Sequence, residues 1–312
     1  MNTNVPPLSQ PSRPGSTAGK SACRVPDRVP GHVNDHGITV RRVSGLREYD
    51  ECVRIERETW GDQFTELVSA TVLRISQEVG GVTAAAFDPD GRMLGFVFGM
   101  TGIRDGELAH WSDMLAVRPE AQHLGIGTRL KHYQRELLLE IGVGRMYWTY
   151  DPLVSRNAHL NLVRLGARVA EYKVNYYGED TGSVIHAGLG TDRFILTWDL
   201  VPRSDVPATF RPLPADTPLV NSMQPGTGIP AIHDLPDSPM VRVAIPKDIF
   251  AELARDPVAA HAWRDTTRRA FCHYLGAGYT VLTFERDSTN EGGTYYLQHT
   301  EPRTDLNPST RA

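Results

Sequence analysis

A glycine-containing loop between a short apolar strand and an amphipathic helix constrains the fold of this chain more than any other segment. The strand covers residues 114–117 and stops before Pro119, and apolar residues then recur at helical spacing over residues 126–141. Between them lies the string Gln122-His123-Leu124-Gly125-Ile126-Gly127. Glycines let the backbone approach a ligand, and the first amides of a helix have no intrahelical acceptor. Because a helix N-terminus favours negative charge, the loop predicts a pyrophosphate site.

Two other phosphate-binding loops fit this string less well. A kinase-type loop would place Lys and then Ser or Thr after the glycines, whereas this chain has Thr128 and Arg129 after Gly127. A dinucleotide-binding fold would place its glycines after the first strand, but these follow the fourth predicted strand. Both alternatives are therefore set aside.

Composition places the chain among ordinary globular proteins and excludes several partners. Its 312 residues are 40% apolar and 22% charged, and its formal net charge of −4 predicts no nucleic-acid partner. No segment approaches the roughly 18 apolar residues of a membrane span, and no signal region is present, so no membrane partner is expected. The three cysteines are scattered, which predicts neither a disulfide framework nor a metal site. A cytoplasmic location is the default expectation.

Hydrophobic periodicity predicts an α+β protein in which antiparallel strands precede a βαβ unit. Ahead of the loop, the pattern predicts a strand over 38–43, helices over 46–60 and 66–79, a hairpin over 82–100 and the strand that ends at residue 117. After the loop helix, it predicts a strand over 146–150, a short helix over 155–165 and strands over 169–177 and 193–200.

The loop and its surroundings resemble the acyl-CoA signature of the GCN5-related N-acetyltransferase (GNAT) superfamily. The matching features are Gln122-x-x-Gly125-x-Gly127, the preceding strand that ends in Val-x-Pro, and the amphipathic helix that follows. The resemblance implies a mixed, mostly antiparallel sheet flanked by helices. It also implies that the strands through Leu115 and Trp148 splay apart around the pantetheine arm of acetyl-CoA or another acyl-CoA. The residues it implies for cofactor binding are Leu115, Val117, Gln122, His123, Leu124, Gly125, Ile126, Gly127, Thr128 and Asn157.

Several short strings resemble a branch of this superfamily that consists of predicted acetyltransferases. They include Trp148-Thr-Tyr-Asp-Pro-Leu153 and Arg156-Asn157-Ala158. Members of the branch tend to have a His where this chain has Asp113, and many superfamily members have a Tyr general acid where it has Leu162. Some branch members occur with N-succinyl-amino-acid metabolism. The resemblance thus suggests an acyl group larger than acetyl, such as succinyl, and an amino-acid-like acceptor.

The chain divides into five predicted segments. Residues 1–36 are rich in Pro, Ser, Arg and Gly and are expected to be disordered, as are residues 301–312. Residues 37–200 form the GNAT-like domain, and the proline-dense residues 201–240 form a connector. Residues 241–300 form a small C-terminal α/β module. Because about 60 residues make a marginal core, this module is expected to dock on the first domain.

Three residues are candidates for handling protons in the reaction. Asp113 and His110 lie on the strand that leads to the acyl site, and Asp151 ends the next strand. A carboxylate or a His can accept the proton of an attacking amine. Because side chains alternate along a strand, Asp113 and His110 cannot both face the site without a bulge. A solvated surface carboxylate is the competing interpretation of Asp113 and Asp151.

A pair of arginines in the C-terminal module is a candidate for substrate binding. Arg264 and Arg268 are four residues apart on a predicted helix and therefore share a face. If the module docks near the acyl site, they would clamp the carboxylate of an amino acid or of a dicarboxylic acyl group. The alternative is a solvated basic face beside an aromatic anchor, Phe271.

The predicted function is acyl-CoA-dependent N-acyl transfer to a small-molecule amine by direct attack in a ternary complex. The alternative function is a non-catalytic acyl-CoA sensor that uses the same pocket without a base. A homodimer is compatible with either function, and neither requires a metal.

Overall fold

The computed structural model of the chain describes residues 31–34, 37–179, 181–183, 188–201, 213–214, 216–286 and 292–300. The predicted tail over 301–312 and nearly all of the tail over 1–36 lie outside these residues. Ordered structure nevertheless begins before the predicted position, because His32–Val33 pairs antiparallel with Thr39–Arg42.

An eight-stranded sheet forms the centre of the fold. Its order is β1-β2-β3-β4-β5-β6-β8-β7, and every neighbouring pair is antiparallel except β5 and β6. This arrangement confirms the predicted α+β class with a mixed, mostly antiparallel sheet. The strands are β1 His32–Val33, β2 Thr39–Arg42, β3 Val82–Phe87, β4 Met93–Arg104, β5 Glu107–Val117, β6 Arg145–Tyr150, β7 Arg168–Lys173 and β8 Arg193–Asp199.

Helices cover both faces of this sheet. The helices α1, Leu46–Trp60, and α2, Ala70–Glu78, bury their apolar sides against β3, β4 and β5 in one core. The helix α3, Ile126–Glu140, packs on the other face, after a 3₁₀ turn over Pro119–Leu124. The helix α4, Ser155–Ala158, continues into a π-helical segment over His159–Arg164. The predicted start of α2 at residue 66 was wrong, because Ser69 caps the helix by accepting a hydrogen bond from the amide of Val72.

A smaller antiparallel sheet with the order β11-β13-β12 lies in the C-terminal part of the chain. Its elements are β11 Met240–Pro246, α5 Ile249–Arg255, α6 Pro257–Gly276, β12 Tyr279–Arg286 and β13 Gly292–His299. The region predicted to be a connector contains a further hairpin, β9 Asn221–Met223 and β10 Pro230–Ile232. Asn221 ties this hairpin to β11, since its amide accepts from the Ala244 N–H at 2.8 Å and donates to the Ala244 carbonyl at 3.0 Å.

The helix α6 joins the smaller sheet to the main one through two ion pairs, one of them buried, and an aromatic cluster. Arg264 Nη2 lies 2.5 Å from Asp151 Oδ2, just beyond the end of β6. One turn further along α6, Arg268 Nη2 lies 2.8 Å from Asp192 Oδ1. Below these pairs, the ring of Phe271 packs 4.7 Å from the ring of Phe194, measured between centroids.

We expect the Asp151–Arg264 pair to be strongly coupled. Arg264→Met would leave the buried Asp151 carboxylate without its closest partner, and such a change costs about 3–5 kcal/mol of unfolding free energy. The double variant Asp151→Asn, Arg264→Met removes both charges and should recover a large part of that loss. Urea unfolding of the two single variants and the double variant measures the coupling.

Arg269→Met, on the exposed side of α6, is the matched control and should change stability by no more than about 0.5 kcal/mol. If the loss of unfolding free energy in the double variant equalled the sum of the losses in the two single variants, the pairing would be contradicted.

Candidate active site

The parallel strands β5 and β6 separate after three residue pairs and leave a cleft. They pair at Ala109↔Arg145, His110↔Met146 and Trp111↔Tyr147. Beyond Trp111, β5 continues to Val117 and β6 to Tyr150 with no described pairing between them. The predicted splay of the strands through Leu115 and Trp148 is therefore confirmed. Backbone groups of β5 that face this gap are not used by the β5–β6 ladder.

A β-bulge at Asp113 inverts the side-chain alternation within β5. Phe98 of β4 is opposite Met114 and Gly99 is opposite Ser112, so Asp113 is the extra residue. Before the bulge, His110 and Ser112 face α3, where both bond to the Gln134 amide. After the bulge, Met114 packs in the core beneath α1 and α2. The bulge thus directs residues of the same parity to opposite faces.

Asp113 lies in a cavity of about 480 Å³ that fills the cleft. The walls come from the α1–α2 loop, β5 past the bulge, the end of β6, and the π-helical segment. The Asp113 side chain reaches solvent in this concave surface. The surrounding protein raises the pKa of the Asp113 carboxyl, a hydrogen bond with Trp111 opposes the rise, and the nearby Glu66 charge adds to it.

The structure corrects the candidacy of His110. Its imidazole is fully buried, with Nδ1 2.9 Å from Thr101 Oγ1 and Nε2 3.0 Å from Gln134 Nε2. Because the Gln134 amide nitrogen can only donate, His110 Nε2 accepts, and the neutral ring donates from Nδ1 to Thr101. Burial, together with the charge of Lys131, lowers the pKa of His110 to about 3. His110 is outside the cavity and cannot take a proton from a substrate there.

Asp151 reaches the cavity wall, but its carboxylate is already engaged. Oδ1 accepts from the Leu153 N–H at 2.9 Å, and Oδ2 lies 2.5 Å from Arg264 and 3.6 Å from Arg193. Burial would raise the pKa of Asp151, yet Arg264 and Arg193 hold it below the ordinary value. A carboxylate stabilised in this way is a weak base, so a direct proton-accepting role for Asp151 is not supported.

The predicted arginine clamp is corrected for the same reason. The guanidinium group of Arg264 is only 2% exposed and is bound to Asp151 and to the Leu189 carbonyl. That of Arg268 is bound to both oxygens of Asp192. Neither guanidinium lines the cavity, and each holds α6 against the main sheet instead.

The residues of the predicted pyrophosphate cradle lie at the open end of the cleft. Gly125 adopts φ 68°, a left-handed conformation suited to glycine, and begins α3 as its N-cap. In the described part of the chain, no side chain caps the first turn of α3. The backbone N–H groups of Ile126, Gly127 and Thr128 therefore face outward without an intrahelical acceptor. His123 and Leu124 are exposed in the preceding 3₁₀ turn.

Gln122 and its neighbours connect this cradle to the cavity. The Gln122 amide donates to the Val117 carbonyl at 3.2 Å and accepts from Arg156 Nη1 at 2.8 Å. Arg156, Asn157 and Leu115 line the cavity. An uncapped helix start that opens into a cleft between splayed strands fits a pyrophosphate followed by an extended arm. These residues therefore fit the acyl-CoA implied by the sequence.

The other end of the cavity has aromatic rings and charged groups of both signs, with Arg193 beside the Tyr177 ring. Trp60, the last residue of α1, and Phe64 of the α1–α2 loop are stacked with centroids 5.6 Å apart, and Tyr177 and Phe250 also line the cavity. Glu66 adds an exposed carboxylate. The loop is held in place by the Thr65 N–H, which donates to the Thr181 carbonyl at 3.0 Å.

Two buried charged residues were missed by the sequence analysis. Lys131 lines the cavity and is 2% exposed, and Glu56 is fully buried on α1. Glu56 Oε2 accepts from the Val68 N–H at 2.9 Å, while Oε1 is buried without a described hydrogen-bond partner. A sequence signal existed for both. Lys131 shares a helical stripe with Gly127, Gln134 and Leu138, and Glu56 lies on the apolar side of α1.

Solved acetyltransferase structures are similar to part of this chain. A ribosomal-protein-S18-alanine N-acetyltransferase from Escherichia coli is 17% identical, with a TM-score of 0.41, over 54% of this chain and 98% of its own. An aminoglycoside 6'-acetyltransferase type Ii is 18% identical, with a TM-score of 0.41, over 53% and 98%. An aminoglycoside 6'-N-acetyltransferase complexed with coenzyme A is 16% identical, with a TM-score of 0.40, over 53% and 99%.

The chain matches no protein-family model, and no curated protein is a match. At such identities and TM-scores, the function has to be argued from the geometry of the cavity itself.

Two further features bear on the kind of site. Among the described helices, none combines the length and apolarity needed to cross a membrane. In the described part of the chain, no three His, Cys, Asp or Glu side chains are grouped so that they could hold a metal ion.

The unpaired oxygen of Glu56 leads to a prediction about stability and pH. Burial raises the pKa of the Glu56 carboxyl from 4.5 to about 7, opposed by the Val68 N–H and helped by the charge of Asp113. The folded protein therefore holds this proton more tightly than the unfolded chain does. The stability that Glu56 contributes is complete below pH 4.5 and is lost as the pH rises through about 7.

Glu56→Gln cannot ionise, so it should match the parent near pH 4.5 and exceed its unfolding free energy by about 1–3 kcal/mol at about pH 8. Urea unfolding at the two pH values measures the difference. Asp50→Asn, on the exposed side of α1, is the control and should show no such pH-dependent gain. An equal effect of Glu56→Gln at both pH values would contradict the assignment.

Proposed function

We propose that this chain is an acyl-CoA-dependent N-acyltransferase of the GNAT superfamily that acts on small-molecule amines. The observation that carries the proposal is the cleft between β5 and β6, which has the uncapped start of α3 at its open end and the Asp113 bulge at its deep end. The cleft suits an extended thioester arm. The bulge adds a carboxylate beside the position where an acyl group would end.

In this proposal the cradle and the cleft each hold one part of acyl-CoA. The first amides of α3, after Gly125, would hold the pyrophosphate. Arg156 and Asn157 lie on the wall between the cradle and the cavity and would contact the arm. The strand amides of β5 past the bulge are free of the β5–β6 ladder, and one of them would donate to the thioester oxygen as charge develops there.

Asp113 is the residue proposed to accept the amine proton. It lines the cavity and reaches solvent, and its pKa is raised by its surroundings. A carboxylate with a raised pKa is a stronger base than an ordinary aspartate. The alternatives on the same strands are engaged elsewhere, His110 by Thr101 and Gln134 and Asp151 by Arg264.

The cavity favours a cationic amine with an apolar or aromatic body. Trp60, Phe64, Tyr177 and Phe250 provide the aromatic wall, and Glu66 and Asp113 provide negative charge. Rings and carboxylates together attract an ammonium group as it enters. The guanidinium groups of Arg264 and Arg268 are bound inside the protein, so they give no support for a carboxylate-bearing acceptor. The acyl group is proposed as acetyl or a larger acyl such as succinyl.

The test is a matrix of acyl-CoA donors and amines, with free CoA thiol as the readout. We expect thiol release that depends on the amine, with aryl-alkyl amines favoured over the corresponding amino acids. Saturable CoA binding with no release across a broad amine panel would instead establish an acyl-CoA sensor. Absence of CoA binding would contradict both functions.

Asp113→Asn should lower turnover by about 10²-fold while CoA affinity stays within about threefold of the parent. As a base, Asp113 acts only when ionised, so turnover of the parent should rise with pH through its raised pKa. The Asn variant should lack that rise. Asp105→Asn, in the exposed turn between β4 and β5, is the matched control. A loss below about threefold in Asp113→Asn would remove Asp113 from the proton path.

A further inference from the structure

Lys131 occupies the apex of the cleft, where the β5–β6 ladder stops. Trp111↔Tyr147 is the last described pair, and the next residues on the two strands are Ser112 and Trp148. Lys131 Nζ lies 2.7 Å from Ser112 Oγ and 4.2 Å from the centroid of the Trp148 ring. The ammonium group therefore contacts both diverging strands, and it lines the cavity between them.

A directed chain of hydrogen bonds holds Lys131 in this position. Lys131 donates to Ser112 Oγ, which donates to Gln134 Oε1 at 2.9 Å. Gln134 Nε2 in turn donates to His110, whose other nitrogen donates to Thr101. Thr101 Oγ1 ends the chain by donating to the Gly80 carbonyl at 2.7 Å. The groups that follow Lys131 in this chain are a hydroxyl, an amide and an imidazole whose pKa is lowered to about 3, so none of them is a base that would take its proton. The ammonium group also lies over the Trp148 ring and lines the cavity.

The charge of Lys131 has no counter-ion in the part of the chain that the structure describes. Among the described residues no carboxylate forms an ion pair with it, although a buried ammonium normally requires one. Burial lowers the pKa of Lys131 to about 7. An acid with a pKa near neutrality gives up its proton readily at physiological pH. The cleft therefore contains an ammonium group that can donate a proton and that forms no ion pair with the described residues.

We propose that Lys131 donates this proton to the sulfur of the departing CoA thiolate. The inference rests on the proposed acyl transfer. An amine that enters as an ammonium group first releases one proton to solvent and becomes nucleophilic. As its nitrogen then forms the new C–N bond, the C–S bond breaks and its electron pair goes to sulfur. Asp113 accepts one proton from the amine and Lys131 gives one to sulfur, so the products are a neutral amide and free CoA thiol. Solvent then restores the proton to Lys131 and removes the one on Asp113.

The position of Lys131 along β5 agrees with this role. The cradle follows the end of β5 at Val117, and the contact with Lys131 is at Ser112. Five residues of strand span about 17 Å at about 3.3 Å per residue. An extended arm whose pyrophosphate lies at the cradle would therefore bring its sulfur toward the apex.

The pH dependence of this donor also depends on the charged groups around it. The titratable or charged residues that line the same cavity as Lys131 are Glu66, Asp113, Tyr150, Asp151, Arg156, Tyr177 and Arg193, and His110 is connected to Lys131 through the hydrogen-bond chain. Burial and the Lys131 charge keep His110 neutral, and Asp151 is held ionised by Arg264 and Arg193. Asp113 and Lys131 are therefore the pair proposed to titrate during turnover.

Lys131→Met and Lys131→Arg separate proton donation from charge. Methionine keeps the length of the side chain and removes both the proton and the charge, whereas arginine keeps the charge and is a very poor acid. We expect each variant to lower kcat by about 10²-fold with CoA affinity within about threefold of the parent.

For the parent, kcat should fall as the pH rises above about 7, and this descending limb of the pH profile should be absent in Lys131→Met. Lys173→Met, at an exposed position of β7, is the matched control.

A binding measurement tests the contact with sulfur independently of turnover. An ammonium group beside the sulfur favours the thiolate, so the parent should prefer CoA over desulfo-CoA, and the preference should increase with pH until Lys131 loses its proton. Lys131→Met should bind the two compounds equally. Melting temperatures of the variants report on folding.

A preference for CoA that persists in Lys131→Met, together with a kcat loss below about threefold and an unchanged descending limb, would overturn the proposal while leaving acyl transfer intact. Recovery of full activity in Lys131→Arg would also overturn it, since charge alone would then suffice. If the parent protein neither binds CoA nor releases thiol, the proposed function fails together with this inference.

Discussion

One additional residue in β5 determines the geometry on which the cavity depends. With Asp113 inserted, β5 meets β4 in two registers and its side chains change face partway along the strand. A regular strand would place Ser112 and Met114 on the same face, so either the polar contact with α3 or the apolar contact with α1 would be lost. Bulges also increase the local bend and twist of a strand. At the same point β5 leaves β6, so the bulge and the opening of the cleft occur together.

The buried charged groups of the described residues are of two kinds, those in an ion pair and those without one. Asp151 and Arg264 lie 2.5 Å apart and neutralise each other's charge where α6 meets the main sheet. Lys131 and Glu56 border the cleft region and have no such partner among the described residues, and burial shifts the pKa of each to about 7. A buried ion pair is costly to break but otherwise inert, whereas an unpaired group stays ready to gain or lose a proton. The paired charges thus hold α6 against the main sheet, whereas the unpaired groups lie near the cleft in which the proposed reaction takes place.

Sequence periodicity correctly predicted the helices whose apolar pattern lies within the element itself. The bounds of α1 were predicted correctly, and the glycine loop correctly indicated the start of α3 near Ile126, because both helices repeat apolar residues over several turns. The hairpin of β9 and β10 was missed. Its three-residue strands are too short to show alternation, and its order depends on Asn221 bonding to β11.

Site residues were harder to predict because their roles depend on contacts distant in sequence. Nothing near Asp151 in the chain indicates that Arg264, 113 positions later, neutralises it. The proposed cradle, by contrast, is built from local structure, and its glycine turn and helix start were predicted from the sequence.

The bulge also bears on how the proposed base, Asp113, and the proposed acid, Lys131, can share one cavity without neutralising each other. Lys131 is bound through Ser112, which is adjacent to Asp113 in the chain. An ion pair between an aspartate and a lysine favours the charged form of both, and neither would then exchange protons readily. Among the described residues Asp113 and Lys131 form no such pair, because Ser112, which binds Lys131, turns toward α3, whereas Asp113 interacts with the charges of Glu56 and Glu66. Burial shifts each group toward its neutral form, upward in pKa for the carboxyl and downward for the ammonium. Both groups line the same cavity, so a substrate bound there would meet one group that can accept a proton from nitrogen and one that can deliver a proton to sulfur, as the proposed reaction requires.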